Sequence, residues 1–400
     1  MTKEFIDFIK THEDEDTARL LLSSARYPAI DMPLVVQQIE GRRTAREKWP
    51  SLLAYDDFLY PPRLNREQAS SEATARYKAD LTVGSNIAAD LTGGMGIDSM
   101  ILARSIEEIH YIEQNGQLCD IMRHNCIALG KGNVDVHQDD SLKWLKNEKR
   151  FFDLLYIDPS RRDAAGQRTV AFENCQPDIL ENLPLLMSRC TNTLMIKASP
   201  MIDINIATKQ LKIVNEVHIV AVRGECKEVL FLCRGGLHRS DTEACKEPVI
   251  NCVNIKNNDI SYFQFTQSEE QGSEGRYCTT LGKYLYEPDA TLMKGGPFKL
   301  LCQRYNLSQL ARNTHLFTGN ELLPHFPGRK FSVIAEVGLT RKEVRTWIPD
   351  GRVHVVTRNY PVASAELQHR LGLKEGGSLF IIATTVGSRK TGFICCLPGK

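Results

Sequence analysis

The chain has 400 residues, of which 42% are hydrophobic and 25% charged, with 12 cysteines and a formal net charge of +1. That length is too great for one ordinary domain and suits two or three, and the composition is that of a globular chain able to bury real cores. A charge so close to neutral excludes a polyanion grip by the molecule as a whole.

The cysteines form no CxxC pair and no Cys/His spacing that fits zinc, so no metal is expected. Many stand in apolar runs, such as Cys233 in "VLFLCR", where Cys acts as a small hydrophobe, and reduced thiols fit a cytoplasmic protein. The N-terminus "MTKEFIDFIKTHEDED" carries acids where a signal peptide needs an apolar core, and no stretch is long enough to span a bilayer. A soluble, cytoplasmic chain with no membrane partner is therefore expected; its oligomeric state is not legible.

Residues 1 to about 80 read as helical. "DTARLLLSSARYP" and "DMPLVVQQIEGRRTAREKW" carry apolar residues at helical spacing, each opening on an Asp suited to cap a helix. "REQASSEATARYKAD" (66–80) reads as a further polar helix. From about 85 short apolar runs alternate with helices. The spacing predicts strands at 86–91, 109–113, 134–137, 152–158 and 192–198, hence βαβ units and a parallel sheet covered on both faces. Strands at 216–224 and 227–234 are separated only by "ECK", too short for a crossover, which predicts an antiparallel hairpin. After 240, linker-like segments surround two short strands, and 282–311 reads as mostly helical. From about 330 the pattern is strand, helix, strand, helix, strand, strand.

The chemistry gathers at strand ends. The first strand runs into "ADLTGGMGIDSM", where Asp90 is followed by Gly93, Gly94 and Gly96, a turn that lets a ligand approach the backbone at a helix N-terminus. The pattern departs from a nicotinamide fingerprint: Ser99 takes the third glycine's place, and an acid that would repel a pyrophosphate precedes the turn. Asp90 suits a cationic amino acid moiety instead. The second strand ends in Glu113, at the spacing where an acid grips ribose hydroxyls, and the third leads to Asp139-Asp140-Ser141. The fourth, "FFDLLYIDPSRR", delivers Asp158, Pro159, Arg161 and Arg162 to its own tip.

"DLTGGMG", Glu113, "QDDSL" and "IDPSRR" resemble motifs I to IV of class I S-adenosylmethionine-dependent methyltransferases over roughly residues 85 to 240. Thr92 stands where many relatives have Gly. The resemblance implies that Asp90, Gly94 and Gly96 meet the methionine end of S-adenosylmethionine, Glu113 its ribose, and Asp140 lies near its adenine. Asp158 then falls at the substrate end. It is the candidate catalytic residue, accepting a hydrogen bond from an N–H, while Arg161, Arg162 and Lys197 are candidate substrate-binding residues.

The residues after Asp158 bear on the acceptor. Amine methylases of nucleic acids resemble Asn/Asp-Pro-Pro plus an aromatic, which Ser160 and Arg161 replace here. D-P-x-R is closer to RNA uracil-5 methyltransferases, but these need a cysteine after the fifth strand, where "LMIKASP" has none; carbon-5 chemistry is not expected. Cys226, in "RGECKE", reads as an ordinary turn thiol. From 319 to 400 there are 12 Lys and Arg against 6 Asp and Glu, a basic unit suited to polyanions. It resembles the THUMP-like domain that accompanies a class I methyltransferase in a poorly characterised bacterial and archaeal family, and "QASSEATARYKAD" and "DPSRRD" resemble that family too.

The expected fold is α/β: a Rossmann-like class I methyltransferase sheet with an antiparallel terminal hairpin, a helical N-terminal region and α+β C-terminal domains. The expected domains are 1–80 helical, 81–240 methyltransferase, 241–318 ferredoxin-like or linking, and 319–400 THUMP-like. The expected activity is S-adenosylmethionine-dependent methylation of structured RNA at a ring or exocyclic nitrogen. A small-molecule or protein methyltransferase, and a non-catalytic RNA-binding protein with a vestigial cofactor fold, remain open at this stage.

Overall fold

The computed structural model describes residues 1–160, 172, 175–235, 246–257, 259–278 and 280–399. Two compact units result, Met1–Val217 with Lys227–Lys246, and His218–Cys226 with Glu247–Lys400.

The first unit opens with α1 (Lys3–Thr11), α2 (Thr17–Leu22), α3 (Met32–Lys48), α4 (Arg63–Gln68) and α5 (Glu72–Asp80). Asp16 and Asp31 cap α2 and α3 as expected, each accepting from backbone N–H groups of the first turn. The stretch 66–80 departs from expectation. It is broken between α4 and α5, where the Ser71 side chain accepts from the Thr74 N–H and starts a new helix, and α5 buries Ala75, Tyr77 and Lys78. The helical region also shares a core with the first strands and helices of the sheet: Trp49, Phe58 and Tyr60 pack with Met100, Tyr111 and Met122.

Then come β1 (Ile87–Asp90), α6 (Ile97–Leu102), β2 (Glu108–Glu113), α7 (Gly116–Ala128), β3 (Val134–Gln138), α8 (Ser141–Asn147) and β4 (Phe152–Ile157). They are followed by α9 (Ile179–Arg189), β5 (Cys190–Ala198), α10 (Ile204–Leu211), β6 (Glu216–Val222), which belongs to the second unit from His218 on, and β7 (Glu225–Arg234). Within the unit the sheet order is β3-β2-β1-β4-β5-β7. All neighbours are parallel until β7, which runs antiparallel to β5. Four of the six β4 residues are fully buried apolar side chains besides the Tyr156 ring, the signature of a strand covered on both faces. β6 and β7 are joined by Arg223 and Gly224, both at positive φ, the geometry of a two-residue hairpin turn. "ECK" therefore opens β7 rather than forming the connection, and Cys226 is a strand residue. The order turns back between β1 and β4, and in such sheets ligands bind outside the carboxyl ends of the strands at that reversal.

The second unit contains the antiparallel pair β8 (Val249–Lys256) and β9 (Asp259–Phe265), then α11 (Gln267–Gly272). β10 (Tyr284–Pro288), α12 (Ala290–Gly295), α13 (Phe298–Tyr305), β11 (Ser308–Ala311) and β12 (Thr314–Gly319) come next. Last are β13 (Gly328–Val337), α14 (Arg341–Trp347), β14 (His354–Arg358), α15 (Ser364–Leu371), β15 (Leu379–Val386) and β16 (Arg389–Cys396). These form a sheet of order β11-β12-β10-β13-β16-β15-β14. The expected strand–helix alternation after 330 is present. The stretch 282–311, expected to be mostly helical, begins and ends as strands because β10 is held between β12 and β13. The expected boundary at 318/319 falls inside β12. Among the described residues the cysteines are free thiols and no helix is long and apolar enough to cross a membrane.

Candidate active site

At the reversal, the backbone after β1 is tied to both neighbouring strands: the Leu91 N–H donates to the Tyr156 carbonyl and the Gly93 N–H to the Ile112 carbonyl. Asp90 is only 2% exposed. Its carboxylate accepts from the Thr92 N–H at 3.1 Å and from the Ser99 hydroxyl at 2.6 Å, so it shapes the glycine turn from inside. Burial above all, with Asp98 and Asp158 nearby, pushes its pKa up to about 7 against the lowering effect of the Ser99 hydrogen bond.

The glycines divide by role. Gly94 and Gly96 both have positive φ. A Cβ on Gly94 would meet nothing closer than the Thr92 carbonyl at 3.7 Å, whereas one on Gly96 would run into the Met122 sulfur and one on Gly93 into the Tyr111 ring. Gly96 is thus required by close packing onto β2 and α7, and Gly94 is the position with open space before it. Glu113 closes the turn from the next strand. One carboxylate oxygen accepts from the Gly94 N–H at 2.9 Å and the other from the Asn115 N–H at 2.8 Å. Each oxygen retains a lone pair for a hydroxyl. Asp140 caps α8 through the Lys143 N–H and accepts from the Gln114 amide at 2.8 Å, on the same rim.

Asp158 stands directly after β4. Its N–H donates to Thr92 Oγ1 at 2.7 Å, which gives the residue standing in place of the usual glycine a structural task. Its carboxylate accepts from Lys197 Nζ at 2.5 Å, and its side chain stays 35% exposed. Lys197, read from sequence as a substrate-binding cation, is buried and held by Asp158. Burial would lower its pKa, but Asp158, Glu228 and Asp98 outweigh burial and raise it above the usual lysine range. Arg161 and Arg162 lie outside the described residues.

Behind this pair is an ionic cluster that the sequence did not disclose. Lys78, 1% exposed on α5, donates to Ser70 Oγ at 2.9 Å and to both Glu228 oxygens at 3.1 Å. Asp98 Oδ1 sits 3.0 Å from the same ammonium as an ion pair without hydrogen-bond geometry. Asp98 Oδ2 accepts from Ser70 at 2.7 Å and from the Tyr156 hydroxyl at 3.0 Å. Burial alone would raise the Asp98 pKa; Lys78 and Lys197 bring it below the usual range. The arrangement links α5, α6, β4, β5 and β7 under the site.

Strand ends that present a glycine turn, a fixed carboxylate at the second strand and an acid–lysine pair at the fourth define a class I methyltransferase fold. Over 99% of this chain and 98% of the other, the structure superposes with a TM-score of 0.87 on the crystal structure of a protein from Porphyromonas gingivalis W83 named for methyl transfer, at 30% identity. The chain belongs to that methyltransferase family. It is also 23% identical over 336 residues, 82% of this chain and 86% of the relative, to an uncharacterized S-adenosylmethionine-dependent methyltransferase of Mycobacterium tuberculosis H37Rv. A ferredoxin-like domain model matches residues 284–327 and a THUMP domain-like model residues 328–397.

Proposed function

We propose that the protein transfers the methyl group of S-adenosylmethionine to a nitrogen of an RNA base. The observation that carries this reading is Asp158, half-buried at the tip of β4 and fixed by Lys197 beside the turn that Glu113 braces. The residues fit the cofactor: Gly94 leaves space at the turn, and Glu113 is fixed at its strand end with acceptor capacity in reserve. S-adenosylmethionine supplies an electrophilic methyl group on a sulfonium. The chain's task is to place the acceptor and receive a hydrogen bond from it. Asp158 accepts from the acceptor N–H, and Lys197 keeps its carboxylate in one orientation. Glu113 takes the ribose hydroxyls and Asp140 stands near the adenine. Asp90 holds the turn. Arg161 and Arg162 are assigned to an adjacent phosphate from their sequence position.

RNA as acceptor is supported by the THUMP domain-like match and by the charge of that segment. Of its basic residues, Arg329 and Arg358 pair with Glu287, Arg370 with Glu366 and Arg389 with Glu336. Around α14 and the end of α15, Arg341, Lys342, Arg345, Arg352 and Lys374 are all exposed. Arg341 and Arg345 are steadied by donating to the Arg370 and Gly372 carbonyls. Such a face is suited to phosphate. Mass spectrometry of total RNA nucleosides from a deletion strain tests the reading: one N-methylated nucleoside should be missing and return with the gene. An unchanged nucleoside profile would contradict it.

A further inference from the structure

Along β2 and β3 three ligating side chains converge, His110 and Asp135 from the first halves of their strands and His137 from one residue before the end of β3. Strand alternation places Glu108 and His110 on one face of β2, and the parallel register sets His110 beside Asp135 and Ile112 beside His137 on β3. His110 Nδ1 lies 2.9 Å from His137 Nε2. Asp135 Oδ2 lies 3.2 Å from His137 Nε2 and 3.9 Å from His110 Nδ1. We propose that His110, Asp135 and His137 form a binding site for a divalent transition metal of the zinc class, built from residues other than those assigned to methyl transfer.

The distances fit. Ligands at 2.0–2.2 Å from a tetrahedral ion stand roughly 3.3 Å apart, and the three separations bracket that value. Glu108 adds an independent sign. Its carboxylate lies 2.8 Å from His110 Nε2 and is itself anchored by Arg150 Nη1 at 2.7 Å. A carboxylate on the far nitrogen keeps the proton there and turns the Nδ1 lone pair towards the site, as the partners of metal-bound histidines do. With that tautomer, His110 Nδ1 and Asp135 Oδ2 are both acceptors facing one His137 nitrogen. A single N–H serves only one of them well, whereas a cation serves all three. The site also has walls and an entrance: the Trp144 ring lies 5.6 Å from His110 and 5.1 Å from His137, while Asp135 stays 63% exposed.

Two imidazoles and a carboxylate suit zinc-like ions and leave a fourth position for water. β3 closes the order of this unit's sheet at one end, and its strand is only partly covered. An ion held by both strands clips that edge strand to β2 and stabilises the fold by mass action. Sequence spacing offered no hint of it, because His110 and His137 are 27 residues apart and only the sheet joins them.

The test uses the full chain, stripped with a chelator and titrated with Zn²⁺ by calorimetry and thermal melting, and with Co²⁺ by visible absorption. The wild type should bind one ion per chain, melt higher with zinc and give the absorption of a four-coordinate cobalt site. Asp135→Asn and His137→Ala should each abolish the cobalt spectrum and the zinc-dependent rise in melting temperature. Glu108→Gln should keep one ion per chain with affinity about 10- to 100-fold weaker. Asp135→Asn, an exposed and isosteric change, decides the matter should His137→Ala fold poorly. Zinc binding and stabilisation that persist unchanged in Asp135→Asn, or are absent from the wild type, would overturn the proposal.

Discussion

Asp90 ends its strand with a carboxylate in a place that penalises charge. Its folded pKa of about 7 stands above the unfolded value of about 3.9. Between those two values the folded state therefore binds more protons than the unfolded chain, and this group makes stability fall as pH rises from about 4 to about 7. Asp90→Asn retains an acceptor for the Thr92 N–H, and the Ser99 hydroxyl can rotate to accept from the amide. Denaturant unfolding at pH 5 and pH 8 should show the variant gaining on the wild type at the higher pH, by on the order of a few kcal/mol. A constant gap between the two proteins across that window would show that Asp90 does not carry the effect. At this scale the sequence disclosed the residue types and their strand ends. It did not disclose that Asp90 faces inward while Asp158 stays partly open to solvent, since burial depends on Ser99 and Lys197 arriving from other elements.

At the scale of elements, α5 ties the N-terminal helices to the site by one buried cation. Lys78→Met would leave Asp98 and Glu228 without their shared partner in the interior. Removing one member of a buried ionic group costs about 3–5 kcal/mol, and calorimetric or denaturant unfolding should register a loss of that order. The double variant Lys78→Met with Glu228→Gln should recover part of it; no loss in the single variant would make the cluster incidental. The strands β1 to β9 and β13 to β16 were legible because apolar runs bounded by turn residues leave little choice of element. Other features were not. The break between α4 and α5 is marked only by Ser71, a cap within a polar run. β10 and β11 were hidden because "YLYEP" and "SQLA" are too short to show a period of two, and pairing with β12 and β13 decides them. Lys78 and Glu228, 150 residues apart, meet only through the fold.

At the scale of the whole molecule, residues 319–400 carry 12 Lys and Arg against 6 Asp and Glu, although the chain's net charge is only +1. Changing Arg341, Lys342 and Arg345 together to Gln should weaken RNA binding and make its logarithmic salt slope shallower by roughly 2, since about 0.7 of a counterion is released per phosphate neutralised on a single strand. Filter binding across a salt series reads this directly, and an unaltered slope would give the basic face another task. Across the whole molecule the proposed activity is methyl transfer to RNA with Asp158 placing the acceptor. It is tested by following a labelled methyl group from S-adenosylmethionine into RNA taken from the deletion strain, with wild-type protein and Asp158→Ala side by side. The wild type should label an RNA base nitrogen, and Asp158→Ala should turn over roughly 10²-fold or more slowly with cofactor affinity little changed. Label that never enters RNA, or equal turnover by Asp158→Ala, would contradict the proposed activity.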